Sequence, residues 1–421
     1  MSTDFEGVDY FAEPSIVADP YPYFDWLRDQ CPVLPGSRNA TMVTGYDEAV
    51  AVMSDNDAYS RVNTVGGPVP GLPVEPEGDD ITDLIEQHRH VFPLSNHVVT
   101  LDPPDHQRHR HLLTRLLTPR RLQENEDFFW TLADREIGSF LQEGRCEFVH
   151  DYAEPYATLT ITNVLGVPES DHAKFRQAFE TPVLGRIDGS KYSGGHVTHL
   201  EEWFAEYIED RRRQPGGDTL TKIALARFPD GSIPPVADVA ALSSFLFAGG
   251  RGTTVHLLAV AVQFLAENPG LQEILRENRS WIPNYVEEIL RLESPIKADF
   301  RLTRTSTDLG GVHVKAGTTV TMLLGACNRD PRQFENPNDL DLHRPNSANH
   351  VAFGRGIGSC PGGSLARAEA RVTLNRVLDR MGDIRISERH HGRPGRRRYT
   401  YDPTFALRRI SELHLEFTPI G

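Results

Sequence analysis

Cysteine is scarce in this chain: Cys31, Cys146, Cys327 and Cys360 are its four, they lie far apart, and none forms a CxxC pair. Their spacing argues against a zinc site or a redox dithiol, and in a reducing compartment they are expected to be free thiols. Long apolar runs are missing too. No stretch approaches the roughly 18 uninterrupted apolar residues of a transmembrane helix. The opening MSTDFEGVDYFAEP is acidic and has no apolar segment, unlike a signal peptide or an anchor, so a cytoplasmic protein free of membrane is expected. Basic residues are outnumbered, Lys+Arg 44 against Asp+Glu 59. The resulting net charge of −15 would repel a polyanion, and nucleic acid is not expected as a partner. A linker rich in Gly, Ser or charge is also lacking. Length alone would suggest about two or three domains, but the helical signals run on unbroken, so residues 1–421 are read as a single domain and a monomer is expected.

What is present is ordinary globular material, 39% hydrophobic and 24% charged, long enough to bury a large core and a bulky cofactor. Residues 20–30 and 44–54 read as short helix or strand pieces near an N-terminal sheet. The stretch from about 62 to 80 is loop by its Gly and Pro content, and a loop that long in a compact domain is usually functional. Helical patterns follow at 105–117, behind the capping LDPPD, at 236–267 and at 283–292. The period then changes to two: FRLTR (300–304) and GGVHVKAGTTVTMLL (310–324), whose alternation around Ala316-Gly317 suggests a hairpin. A last long helix opens after Cys360. The fold class is therefore mainly α with a minor β part.

The sharpest segment is HVAFGRGIGSCPGGSLARAEA (350–370), a Gly-punctuated loop with one cysteine that opens into a helix. Its glycines allow close backbone approach to a flat partner and leave N–H groups free to point at the sulfur. A helix N-terminus favours a thiolate, so the loop is expected to keep Cys360 ionised. Taken alone, a buried structural cysteine explains the residue equally well.

Phe353, Gly354, Gly356, Cys360 and Gly362 match FGxGxxxCxG, and with them the chain resembles the cytochrome P450 family. The resemblance runs from PYPYF (20–24) to FALRR (405–409). It implies a P450-like fold with haem b (iron protoporphyrin IX) between the long central helix and the Cys-loop helix, and Cys360 as its axial metal ligand. His106 and Arg110 in LDPPDHQRHR are four apart and share a helical face; by resemblance they bind the haem propionates together with Arg301. Glu288 and Arg291 form the family's ExxR, completed by Arg344 as a structural charge triad. Within FLFAGGRGTTVHLLA (245–259), Gly249, Gly250 and Gly252 each cost about 1 kcal/mol relative to Ala in a helix interior. Close helix packing would explain one or two of them, and the functional reading is a distorted groove where substrate and dioxygen sit. Thr253 falls on the family's oxygen-side threonine and Thr254 follows it, both as catalytic candidates. Gly249, Gly250, Arg251 and Phe405 are candidates for lining the substrate.

Two positions depart from the family pattern. The residue before Thr253 is usually an acid; here it is Gly252, which cannot relay a proton, with Arg251 before it. Arg251 could instead point into the pocket and pair with a substrate carboxylate. At Gly358 the family commonly has a His or Arg reaching a propionate, so a less tightly held haem is expected.

The implied activity is monooxygenation of a small apolar organic substrate, one oxygen atom coming from dioxygen. Electrons would come from a separate ferredoxin and ferredoxin reductase, with Arg108 and Arg355 either receiving an acidic partner or merely solvated. The missing acid keeps two other readings open, a peroxide-using or radical-coupling haem-thiolate enzyme and a non-catalytic haem-binding sensor. The basic run HHGRPGRRR (390–398) is read as a solvated loop between C-terminal strands.

Overall fold

The structure is a computed structural model that describes residues 5–113, 117–177, 186–187 and 195–420. Its axis is the central helix, Val236–Glu267, which starts behind Pro235 and stops at Asn268, where Pro269 opens the next helix. A helix that is apolar nearly all round must be buried, and this one packs against helices Glu154–Leu165, Gly195–Arg213, Ile282–Leu292 and Gly363–Arg380. By length and composition alone it could cross a membrane; 67% of its most apolar stretch is buried in the fold, and it acts here as a core helix. The Cys-loop helix, Gly363–Arg380, lies alongside it.

The β part is small. Strands β1 (Val33–Pro35), β2 (Ala40–Val43) and β3 (Tyr59–Ser60) come early, β4 (Arg145–Glu147) stands alone in the middle, and β5 (Asp299–Thr303), β6 (Thr307–Leu309), β7 (Val312–Val314) and β8 (Thr319–Met322) follow the Glu288 helix. Near the C-terminus lie β9 (Met381–Ile386) and β10 (His414–Pro419). One sheet has the order β1-β2-β8-β5-β3, with β2 and β8 parallel, and a second has β4-β10-β9. The hairpin expected around Ala316-Gly317 is not formed. β7 pairs instead with β6, around Gly310 and Gly311 at φ +56° and +82°, while β8 joins β5 and β2 in the larger sheet. Gly317, at φ +85°, turns the chain from one sheet to the other. Two consecutive glycines in the left-handed region make the tighter reversal, and that decides which alternation closes on itself.

The expected helices are observed at Tyr21–Gln30, Tyr46–Ser54, Asp105–Leu113, Val236–Glu267 and Ile282–Leu292. Residues 114–116 of the expected 105–117 helix lie outside the described residues. The segment 390–398 is a mostly exposed connection between β9 and β10, anchored by an Arg397–Glu267 ion pair at 3.4 Å.

Candidate functional site

The Cys loop is closed by its own backbone. Gly354 and Gly356 sit at φ +66° and +65°, where a side chain would be strained. This curvature lets the Cys360 N–H donate to the Phe353 carbonyl at 2.7 Å. The N–H groups of Gly362 and Gly363, at the start of the Cys-loop helix, point at the Cys360 sulfur. Cys146 and Cys327 are buried, whereas Cys360 has free surface, yet burial still pushes its thiol pKa up. Both facts hold if its free surface faces an interior recess. The Gly362 and Gly363 amides, Arg110 and Arg367 pull the pKa down, but burial outweighs them. The loop by itself therefore does not keep Cys360 ionised, contrary to expectation; a bound metal ion would deprotonate the thiol outright.

Phe353 stacks under the Arg367 guanidinium, 4.6 Å from its ring centre, and Gly363 leaves room for both. Arg367 is gripped by Glu287, Nε to Oε1 at 2.6 Å and Nη2 to Oε2 at 2.8 Å. His350 joins them: its Nδ1 accepts from the Ala352 N–H, so Nε2 carries the proton and donates to Glu287 at 3.1 Å. Burial raises the Glu287 carboxyl, but the hydrogen bonds from Arg367 and His350 outweigh it and hold the pKa down to about 2. This network was not anticipated from sequence, although Glu287 stands beside the recognised Glu288.

Glu288 holds a separate and drier network. Its carboxylate accepts from Arg291 Nε at 2.7 Å and Nη2 at 2.9 Å, from Arg344 Nε at 3.1 Å and from the Asp341 N–H at 3.0 Å. Arg291 then donates to the carbonyls of Asn328, Pro337 and Asp339, and Arg344 to those of Glu335, Asn336 and Asp339. Glu288, Arg291 and Arg344 thus come together as one buried triad that ties down the backbone of segment 328–341.

A cationic cluster flanks the loop. Arg110 donates to the Ser359 carbonyl, next to Cys360. Arg301 donates through Nη1 to Thr64, Asp299 and the Phe300 carbonyl. His106 is buried, and its Nδ1 has no hydrogen-bond partner among the described residues. Burial and the nearby Arg61 and Arg110 lower its pKa to about 4, so the ring is neutral at pH 7. Arg61, unnoticed in the sequence, joins this group with Nε and Nη1 buried and unpartnered among the described residues. A buried guanidinium without an acceptor is costly, and the nearby Asp299 and Asp102 are already paired with Arg301, Arg89 and Arg304, so Arg61 lacks an anion of its own. The two carboxylates of haem b would meet that need, and the free surface of Cys360 would offer the metal a thiolate ligand. The residues present fit the group.

On the central helix, the Thr253 hydroxyl donates to the Gly249 carbonyl at 2.7 Å, while Thr254 is buried with Oγ1 3.5 Å from Glu369 Oε2. Glu369, on the Cys-loop helix, was also missed. An acid on the apolar face of that helix, four residues after Leu365, was the available signal. Burial raises its pKa well above the ordinary carboxyl range, against the Thr254 hydrogen bond, which lowers it.

Other expectations are corrected here. Arg251 turns into the protein: Nε donates to Thr158 Oγ1 at 3.0 Å, and Nη2 lies 3.4 Å from Glu154. Helix Glu154–Leu165 offers it a hydroxyl and a carboxylate, which settles its direction. The three glycines do not distort the helix, which is α throughout. Gly250 answers to packing, since a Cβ there would lie 3.1 Å from Ile161, whereas Gly249 and Gly252 face open space. Phe405 packs edge-on against Phe11 and Phe300, at 5.2 and 5.8 Å, as part of the core. Arg108 stacks on Phe228, and Arg355 donates to Tyr46 and the Asn349 carbonyl, so both are engaged within the chain.

Comparison with known proteins follows the same lines. The family model described as Cytochrome P450 matches residues 199–381. The chain is 30% identical over 416 residues to the biotin biosynthesis cytochrome P450 of Bacillus subtilis (strain 168), across 96% of this chain and 98% of that protein. It is 30% identical over 385 residues to nocardicin C N-oxygenase of Nocardia uniformis subsp. tsuyamanensis, across 90% of this chain and 92% of that one. Among solved structures, substrate-free Mycobacterium marinum cytochrome P450 CYP150A6 matches with a TM-score of 0.94 at 50% identity, covering 99% of this chain and 100% of that one.

Proposed function

The chain belongs to the cytochrome P450 family, and from that premise we propose that it is a haem b monooxygenase acting on a small apolar molecule, with electrons delivered by a separate ferredoxin and its reductase. The observation that carries this reading is Cys360: a thiol with free surface, faced by the Gly362 and Gly363 amides, beside a cationic cluster in which Arg61 has donors without an acceptor among the described residues.

Haem, when bound, supplies the activation of dioxygen. The chain's own residues do the rest. Cys360 Sγ would hold the metal, its negative charge met by the two amides and by Arg110 and Arg367. His106, Arg110 and Arg301 would hold the carboxylates. Thr253 presents its hydroxyl oxygen from the central helix, oriented by the Gly249 carbonyl. Burial favours the protonated form of the Glu369 carboxyl, whose Oε2 accepts from the Thr254 hydroxyl of the central helix, and this acid is the proton source we assign there. This offsets the acid lacking at Gly252.

The test has two stages. The purified ferrous protein with carbon monoxide should show the red-shifted Soret band of thiolate ligation, and oxygen uptake with a ferredoxin and reductase should rise on adding an apolar substrate. A protein that binds haem but never couples oxygen uptake to substrate would be a sensor. Gly252 favours one second reading, direct use of peroxide, which predicts turnover with hydrogen peroxide alone.

A further inference from the structure

Gly358 is the loop position where a propionate-binding side chain was expected and found lacking. The structure accounts for the vacancy of side chain there. A Cβ built on Gly358 would lie 2.3 Å from Arg61 Nη1, 2.8 Å from Nη2 and 2.9 Å from Cζ, so the Arg61 guanidinium already fills that space. Arg61 follows β3, and its own backbone N–H is fixed by Asp102 at 2.7 Å. Its side chain extends from that anchor to the Cys loop. Only 4% of the residue is exposed, and Nε and Nη1 have no acceptor among the described residues.

Its surroundings make the lack of an acceptor sharper. The charged groups that act on it are Arg301 and Arg110, of like sign, and Asp299 and Asp102, of opposite sign. Both carboxylates are already committed, Asp299 to Arg301 at 3.0 Å and Asp102 to Arg89 and Arg304 at 2.9 and 2.8 Å. A desolvated guanidinium placed among other guanidiniums, with its donors aimed into a shared space, suits a dianionic ligand.

We propose that Arg61 is a haem-carboxylate ligand of this chain, taking from β3's end the place that a loop side chain at position 358 would otherwise fill. This rests on the haem reading above. It follows that Gly358 is not a weakened contact but the opening that admits Arg61, and the haem is held with ordinary tightness.

The test is haem transfer from the ferric holoenzyme to an excess of scavenging apoglobin. Arg61→Gln should speed haem loss by roughly ten- to a hundred-fold, the loss of one charge-assisted hydrogen bond. Gly358→His alone should also speed it, because the new side chain collides with Arg61. In the double variant Arg61→Ala, Gly358→His, the ring can reach the emptied space, and loss should slow to below that of Arg61→Ala. This sign reversal would not arise from a purely structural Arg61. Unchanged haem loss in Arg61→Gln, or additive losses in the double variant, would overturn the proposal while leaving thiolate ligation intact. A wild-type protein that takes up no haem would overturn the parent reading as well.

Discussion

Two adjacent glutamates on one helix are expected to differ sharply in what they hold. Changing Glu288 to Gln keeps its volume but removes the carboxylate that receives Arg291 and Arg344. Glu288 and Arg291 are 0% exposed at their side chains and Arg344 is 4% exposed, so neither guanidinium can recover its hydration. Breaking a buried pair in this way costs about 3–5 kcal/mol, and two cations are stranded here, which puts the expectation at the upper end. Changing Glu287 to Gln strands Arg367 instead, whose side chain is 39% exposed and can turn to water, and a neutral His350. Solvent screening reduces that loss to about 1–2 kcal/mol. Guanidinium unfolding of the holoenzymes, followed by the Soret band and far-ultraviolet circular dichroism, measures both. A Glu287→Gln loss equal to or larger than that of Glu288→Gln would refute the burial argument.

Other expectations follow from single contacts. Gly252→Ala should raise stability by about 1 kcal/mol, since its Cβ meets nothing; Gly250→Ala should gain less or lose, because its Cβ presses on Ile161, and thermal unfolding of the pair reads the contrast. Arg251→Met should destabilise the fold by about 2–3 kcal/mol, stranding Glu154 and Thr158, with substrate affinity unchanged in an optical titration. Glu287 has a folded pKa of about 2 against an ordinary 4.5, so its stabilisation is complete above pH 4.5 and is lost as pH falls from there towards 2; Glu287→Gln should remove that part of the acid slope, and an unchanged acid slope would contradict it. Glu369→Gln, which removes a buried carboxyl whose charged form burial disfavours, should leave the thiolate spectrum and stability nearly unchanged while lowering product formed per electron consumed.

Much of the site was readable because it is local. The Cys loop and the ExxR pair are set by glycine positions and helical spacing within a few residues, and the central helix by its apolar length and flanking prolines. What could not be read depends on space between distant segments. Arg61 and Gly358 are far apart in sequence, and their relation exists only as a filled volume. Arg251 had a plausible ligand in the pocket, but a hydroxyl and a carboxylate on a neighbouring helix were closer. Glu287 and Glu288 look alike in sequence, and burial alone separates them. The hairpin was misplaced because Gly310-Gly311 and Ala316-Gly317 both read as turns, and only strand pairing chooses between them.

The central claim is that Cys360 alone among the four cysteines ligates haem as a thiolate. It is tested most directly by the ferrous–carbon monoxide spectra of the wild type, Cys360→His and Cys327→Ser. The thiolate Soret band should be present in the wild type and in Cys327→Ser and replaced in Cys360→His by the shorter-wavelength band of a nitrogen-ligated haem. A thiolate band that survives in Cys360→His would contradict the account.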